Sequence, residues 1–323
     1  KTPFYRVVSS IALEGESFEG EWRAVEGSRY FQSPVLYKEN GFKKKEDAQK
    51  LICELSTQQP LICTVEKIER KKENKNPPLL FNLAELQNVC SKLFKISPDE
   101  TLSIVQDLYE KKLVTYPRTD ARVLSTAVAK EIYKNISGLR NYPQAGEAAQ
   151  GALELGAYKN IAKTRYTNDK QITDHYAIIP TGQGLGALKG LSLTAQRVYE
   201  TIVRRFLSIF YPPAVYQKVS LVTKMENESF FSSFKVLLSE GYLKIAANSF
   251  AKKSMAEASG KTPESEGEGE VSCDEALLAA LQKLKKGDIL NINGLGIKEG
   301  ETSPPKRYNS GSMILAMENA GQL

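Results

Sequence analysis

The chain has 323 residues, 41% of them apolar and 25% charged, enough for one large domain or two to three ordinary ones with a proper core. Lys and Arg outnumber Asp and Glu by 44 to 38, and the formal charge of +6 biases the surface modestly toward a polyanionic partner. No apolar run approaches ~18 residues, so the sequence contains no membrane-spanning helix.

The opening residues, KTPFYRVV, lack both a signal peptide's apolar stretch and a starting Met. They lead us to expect a chain cut from a longer polypeptide. Cys53, Cys63, Cys90 and Cys273 form no CxxC pair, and the single histidine, His175, is remote from all of them in sequence. The spacing argues against structural zinc and for buried thiols in a reduced, cytosolic protein.

Residues 4–37 carry short alternating pieces such as FYRVV and YFQSPVLY, which predict strands. EDAQKLICEL (46–55) predicts a helix and residues 61–68 a strand. The run ERKKENKNPP then predicts a break and a domain boundary near residues 70–80.

The next block is helical. Asn82 and Glu85 form a capping box, with Phe81 placed to staple onto Leu86. Leu83, Leu86, Cys90 and Leu93 recur at helical spacing. A second helix opens at Ser97, with Pro98 in its first turn and Glu100 completing another box. Leu102, Val105, Leu108 and Tyr109 are its expected buried stripe. Two helices joined by a short turn are compatible with a helix-turn-helix or winged-helix substructure, a layout many helical cores share.

Just beyond lies KKLVTYPRTDAR (111–122). It places a phenol, Tyr116, close to a guanidinium, Arg118, and a carboxylate, Asp120, flanked by Lys111, Lys112 and Arg122. A phosphoryl centre needs an attacking oxygen, a cation where negative charge builds up, and a group to manage the proton. This set could serve all three needs, although such spacing also occurs by chance.

Residues 125–137 predict a third helix, with Val128, Ile132 and Ile136 aligned. Residues 138–170 read mostly as loop, with an Ala-rich helix near 145–157. ITDHYAIIPT (172–181) holds the one imidazole, His175, which could donate to a phosphate oxygen or could simply be a surface residue. TGQGLG (181–186) lacks the spacing and the strand–turn–helix setting of a nucleotide fingerprint.

A further helix is predicted over 194–210, ended by Pro212 and Pro213. The period returns to two in VYQKVSLV (215–222) and SSFKVLLS (232–239). Residues 251–270 read as a solvent-facing excursion, 274–285 as a helix and DILNI as a strand. In 300–321, two prolines precede an expected helix near Ser310. The order of strands, helices and strands predicts a helical domain inserted into a β-rich one. Lys43 to Lys45, Lys71 with Lys72, and Arg204 with Arg205 are basic clusters that would contact phosphates if they lined a concave face.

Five segments together resemble the type IA DNA topoisomerases, and especially their topoisomerase III-like branch. They are NPPLLFNLAELQ (76–87), TLSIVQDLYEKKLVTYPRTD (101–120), DHYAIIPT (174–181), RRFLSIFYPP (204–213) and ETSPPKRYNSGSMILAMENAG (301–321). The resemblance implies a mixed α and β multidomain fold, a fragment of the family's arch. Its expected parts are a β-rich arch domain over 1–78 and 209–309, an inserted helical, winged-helix-like domain over 79–208, and the start of a segment returning to the base over 310–323.

The resemblance further implies that Tyr116 attacks single-stranded DNA to form a 5′-phosphotyrosine and that a second strand passes through the break. Arg118 is then a phosphate clamp, Asp120 an organiser of the site, and His175 a contact to the scissile phosphate. Gln87, Lys111, Lys112, Arg122 and Arg204 are the further candidate DNA contacts. The family's Toprim domain, which binds Mg2+ through acidic residues, has no counterpart here, so the isolated chain is expected to be inactive and to carry no metal. The implied partners are single-stranded DNA and the Toprim and base domains of one monomeric polypeptide, located in the bacterial cytoplasm at the nucleoid. The alternative is a non-catalytic DNA-binding module.

Overall fold

The computed structural model describes residues 2–251, 270–271 and 274–301. The expected excursion at 251–270 and the expected helix near Ser310 therefore lie almost wholly outside the described residues. The chain forms two compact units. One comprises Lys1–Glu73, Val215–Leu238 and the described part of Ser254–Lys306; the other comprises Asn74–Ala214 and the described part of Ser239–Lys253.

The first unit is a barrel with appendages. β1 (Pro3–Leu13) turns at Gly15 into β2 (Glu16–Arg23). β3 (Leu36–Lys38) and β4 (Gly41–Phe42) extend the sheet beside β1, and α1 (Lys45–Ser56) covers it. β5 (Ile62–Lys75) runs on through the charged stretch where a break was expected. Its charges are met across the sheet by β6 (Ala214–Met225), through Glu66–Lys224 at 3.2 Å and Glu73–Lys218 at 2.9 Å. β7 (Glu228–Ser239) follows β6 across a two-residue turn whose first residue, Glu226, has φ 54°, the left-handed geometry of a tight hairpin.

Beyond it come β8 (Glu270–Val271), a helix over Glu275–Lys283, and β9 (Ile289–Glu301). β9 pairs with β1 from Pro3↔Glu301 to Ile11↔Ile292, and β2 pairs with both β1 and β7. The order β1–β2–β7–β6–β5–β9 thus closes on itself. Alternation along β1 and β2 sends Val7, Ile11, Phe18 and Trp22 into the interior. YFQSPVLY is mostly turn, since its only strand is β3.

The second unit is helical. α2 (Leu83–Phe94) and α3 (Pro98–Glu110) start at the expected caps, where Asn82 Oδ1 accepts from Glu85 N at 2.8 Å and Ser97 Oγ from Glu100 N at 3.1 Å. The expected third helix is two, α4 (Thr126–Lys130) and α5 (Ile132–Gly138), separated at Glu131. α6 (Gly146–Leu155) precedes α7 (Leu193–Ser208), whose Val198, Ile202, Val203 and Phe206 are wholly buried at the centre of the unit. Residues 239–251, expected in the β-rich domain, belong instead to this helical unit, with the short helix α8 (Leu243–Ala246). The last helix, α9, is the one over Glu275–Lys283.

Of the three described cysteines, Cys63 and Cys90 are buried, and desolvation pushes their thiols up to about 11 and about 12. Cys53 is exposed, against the expectation of buried thiols throughout.

One buried charge pins the barrel's long loop. Glu228, fully buried, accepts from Trp22 Nε1 at 2.9 Å, Ser28 Oγ at 2.6 Å and Arg29 N at 2.9 Å. Glu228→Ala should therefore strand three donors and cost ~3 kcal/mol or more, read as a lower urea midpoint for unfolding.

Candidate active site around Tyr116

Burial alternates along residues 117–123. Pro117, Thr119, Ala121 and Val123 are buried, while Arg118 and Asp120 are exposed and Arg122 is half-buried. This segment has the inside–outside rhythm of an extended chain, with the candidate side chains on its outer row. Tyr116, at the head of that row, is half-buried.

A second extended segment, residues 175–181, holds this one in place. Thr115 N donates to Ile179 O at 3.0 Å, and Thr115 Oγ1 accepts from Ile179 N at 2.9 Å while donating to Ala177 O at 3.0 Å. Thr119 Oγ1 donates to His175 O at 3.3 Å and accepts from Ala121 N at 3.1 Å. Ala177 N donates to Val123 O and Ile178 N to Phe81 O, at 3.1 and 2.8 Å. Within this second segment, a strap across the first, Ala177, Ile178 and Ile179 are buried. The start of α2 completes the frame, with Asn82 Nδ2 donating to Asp120 O at 3.2 Å and Leu83 N to Thr119 O at 3.1 Å.

These bonds bring the only histidine to the tyrosine. The ring centroids of Tyr116 and His175 lie 4.3 Å apart with an interplanar angle of 37°. Tyr109, from the last turn of α3, meets Tyr116 edge-on at 5.4 Å and 83°. Tyr109 is 38% exposed, so it is not part of the buried stripe expected for α3. Leu93, likewise expected on α2's inner face, is 47% exposed.

The remaining candidates divide by their partners. Arg118 is exposed and forms no hydrogen bond or ion pair with any described residue, which leaves its planar donor fork available to a phosphate. Lys112 is exposed, at φ 63°. Lys111 Nζ is tied to Asp107 at 2.5 Å, an exposed pair of small energetic weight. Arg122 is partly engaged, since its Nε donates to Leu80 O at 3.2 Å. Gly184, at φ 75°, lets the strap's exit turn pass against Lys111; a Cβ there would sit 2.7 Å from Lys111 O. TGQGLG thus has a packing role.

Two candidate DNA contacts, Gln87 and Arg204, are buried and bonded within their own unit. Gln87 is 8% exposed and donates through Nε2 to Pro98 O at 3.0 Å, bracing α2 against the start of α3. Arg204 is 9% exposed; it pairs with Glu200 at 3.1 Å and donates to Ile245 O and Gln144 O at 3.0 and 2.6 Å. Its neighbour Arg205 also turns inward, 4.1 Å over the Phe81 ring and donating to Leu79 O. The Arg204–Arg205 pair is an internal tie, because helical spacing aimed both at the unit's own core rather than at solvent.

Among the described residues no group of three or more His, Cys, Asp or Glu is placed to hold a metal ion. Likewise among the described residues, no helix is long and apolar enough to cross a membrane.

A phenol packed on an imidazole, with an exposed guanidinium two residues along that is unpaired among the described residues, defines a candidate phosphoryl-transfer site. The family model described as DNA topoisomerase matches residues 1–321, and the chain belongs to that family, in its type IA, topoisomerase III-like branch. It is 37% identical over 243 residues to DNA topoisomerase 3 of Bacillus licheniformis, covering 75% of this chain and 30% of that protein. To DNA topoisomerase 3 of Bacillus subtilis it is 32% identical over 271 residues, covering 84% of this chain and 34% of that protein. The chain therefore spans about a third of the length of these relatives. The fold resembles full-length topoisomerase I from Thermotoga maritima at a TM-score of 0.59 and 21% identity, covering 99% of this chain and 44% of that one.

Thr115 and the buried Arg204 make separable predictions. Thr115→Val leaves Ile179 N without its acceptor, so stability should fall by ~1–3 kcal/mol and amide exchange at Ile179 should accelerate. Arg204→Ala leaves Glu200 buried without its cation and should cost ~3–5 kcal/mol, with the salt dependence of DNA binding unchanged.

Proposed function

We propose that this chain supplies the nucleophile of a type IA topoisomerase that cuts and rejoins single-stranded DNA. The observation that carries the reading is the 4.3 Å approach of the His175 ring to Tyr116, with Arg118, exposed and without a partner among the described residues, on the same outer row as the tyrosine. In the proposed step the Tyr116 Oη attacks a backbone phosphorus, and the bond from phosphorus to the 3′ oxygen breaks. The products are a 5′-phosphotyrosine and a 3′-hydroxyl, the phenolic proton passing on balance to the 3′ oxygen. Rejoining reverses each change, which conserves the phosphodiester's free energy and needs no ATP.

An unperturbed phenol, with a pKa near ~10, is a weak nucleophile at neutral pH, so a cationic environment for the attack has chemical value. Arg118 meets the charge that grows on the non-bridging oxygens, a kind of contact worth ~2–4 kcal/mol in transition states. His175 packs against the nucleophile and stands as a donor to the scissile phosphate, with Asp120 organising the loop. Lys111, Lys112 and Arg122 extend the contact along the DNA backbone. Magnesium, which supplies charge neutralisation in this family, is assigned to a Toprim domain of the intact polypeptide. That domain, the base domain and single-stranded DNA are the proposed partners. We place the intact enzyme as a monomer in the bacterial cytoplasm at the nucleoid, a reading supported by its relatives from Bacillus.

The test is covalent capture of a labelled single-stranded oligonucleotide by the intact enzyme. Tyr116→Phe should abolish capture while leaving non-covalent binding in place. Capture that survives this change overturns the reading, and DNA binding by a wild-type enzyme that never captures covalently favours a non-catalytic DNA-binding module instead.

A further inference from the structure

We infer that Tyr109 is a positioning residue for the nucleophile, an inference that rests on the reading of Tyr116 given above. Tyr109 occupies a place where helical periodicity calls for a core residue, yet its ring is 38% exposed and stands edge-on to Tyr116 at 5.4 Å and 83°. That is the favoured geometry of an aromatic pair, with a positive ring edge directed at a negative ring face.

The backbone beneath Tyr109 is fixed. Its neighbour Leu108 is wholly buried, and Leu113 N donates to Leu108 O at 2.9 Å. Lys112 N donates to the Tyr109 carbonyl at 2.9 Å, and Lys111 N to Asp107 O at 3.0 Å, closing the end of α3. His175, the other ring on Tyr116, is fixed through its own carbonyl by Thr119. The phenol of Tyr116 therefore meets two rings, each on an anchored backbone, at 83° and 37° to its plane.

A half-exposed tyrosine without such neighbours would sweep its oxygen through a wide arc about two side-chain torsions. In-line attack on phosphorus uses only a narrow part of that arc, and misplacement by ~1 Å can cost ~100-fold in rate. Tyr109 restricts the arc without touching DNA or the reacting atoms. The contact is made by the ring rather than by the hydroxyl, which makes no hydrogen bond to any described residue.

The test uses the intact topoisomerase carrying Tyr109→Ala, Tyr109→Leu or Tyr109→Phe. Three quantities are read: single-turnover covalent capture of a single-stranded oligonucleotide, equilibrium binding of the same oligonucleotide, and the melting temperature. Ala and Leu should slow capture about tenfold, equivalent to ~1.4 kcal/mol, with affinity and melting unchanged. Phe, which keeps the ring edge, should capture at the wild-type rate.

Wild-type capture by Tyr109→Ala overturns the inference. So does a loss of affinity or of melting temperature that accounts for the slower capture, since Tyr109 would then bind DNA or hold the fold. If Tyr116→Phe loses capture while Tyr109→Ala keeps it, only this inference fails. If Tyr116→Phe keeps capture, the assignment of the nucleophile fails and the inference with it.

Discussion

The site depends on one long-range pairing, that of the strap at 175–181 with the loop that carries Tyr116. Thr115 and Ala177 are 62 positions apart in the chain, and closing a flexible loop of that length costs roughly 4 kcal/mol in chain entropy. The backbone and threonine bonds across the pairing each return only ~1 kcal/mol net. Burial decides the balance. Val114, Ile178 and Ile179 are essentially inaccessible, and each such side chain contributes ~1.5–3 kcal/mol when removed from water. The apolar run AIIP therefore supplies most of the free energy, and the threonines set the register at which it is used.

That register has a chemical consequence. A slip by one residue in an extended chain exchanges its two faces. Here it would turn Arg118 and Asp120 toward the core and expose Pro117 and Thr119, which are now buried. Thr115 and Thr119 bracket the tyrosine on either side, each making two hydrogen bonds through its hydroxyl. Valine would fill the same space, but it could not accept from a backbone N–H while donating to a carbonyl.

What could be read from the sequence was local. Caps at Asn82 and Ser97 announce α2 and α3 because their partners lie three residues away. The stripe of α7 is legible because one face of one helix makes the unit's centre. Strand β5 was misread because its charges are compensated by Lys218 and Lys224 on another strand, a relation that no window of sequence displays. The internal partners of Arg204 were not legible for the same reason, since Glu200 is visible four positions away but Gln144 and Ile245 are not. The alternation from Pro117 to Val123 was legible in principle. Its inward positions are Pro, Thr, Ala and Val, small or hydroxylic residues that do not register as a hydrophobic row. His175 could not be brought to Tyr116 from spacing, because the strap that carries it pairs across 56 to 64 positions.

The contrast between the arginines follows from where their counter-charges lie. Arg204 and Arg205 have carboxylates, carbonyls or a ring within reach inside their own unit, so their desolvation is offset there and they are not free to meet a ligand. Arg118 has no such partner among the described residues and remains solvated on the outer row. A solvated guanidinium gives up water when a phosphate arrives, but it need not break a protein contact first. In the proposed step, two of its five donors can meet the non-bridging oxygens of that phosphate as a bidentate pair. On the proposed reading, a cation left unpaired among the described residues is available when a phosphate is brought to the tyrosine.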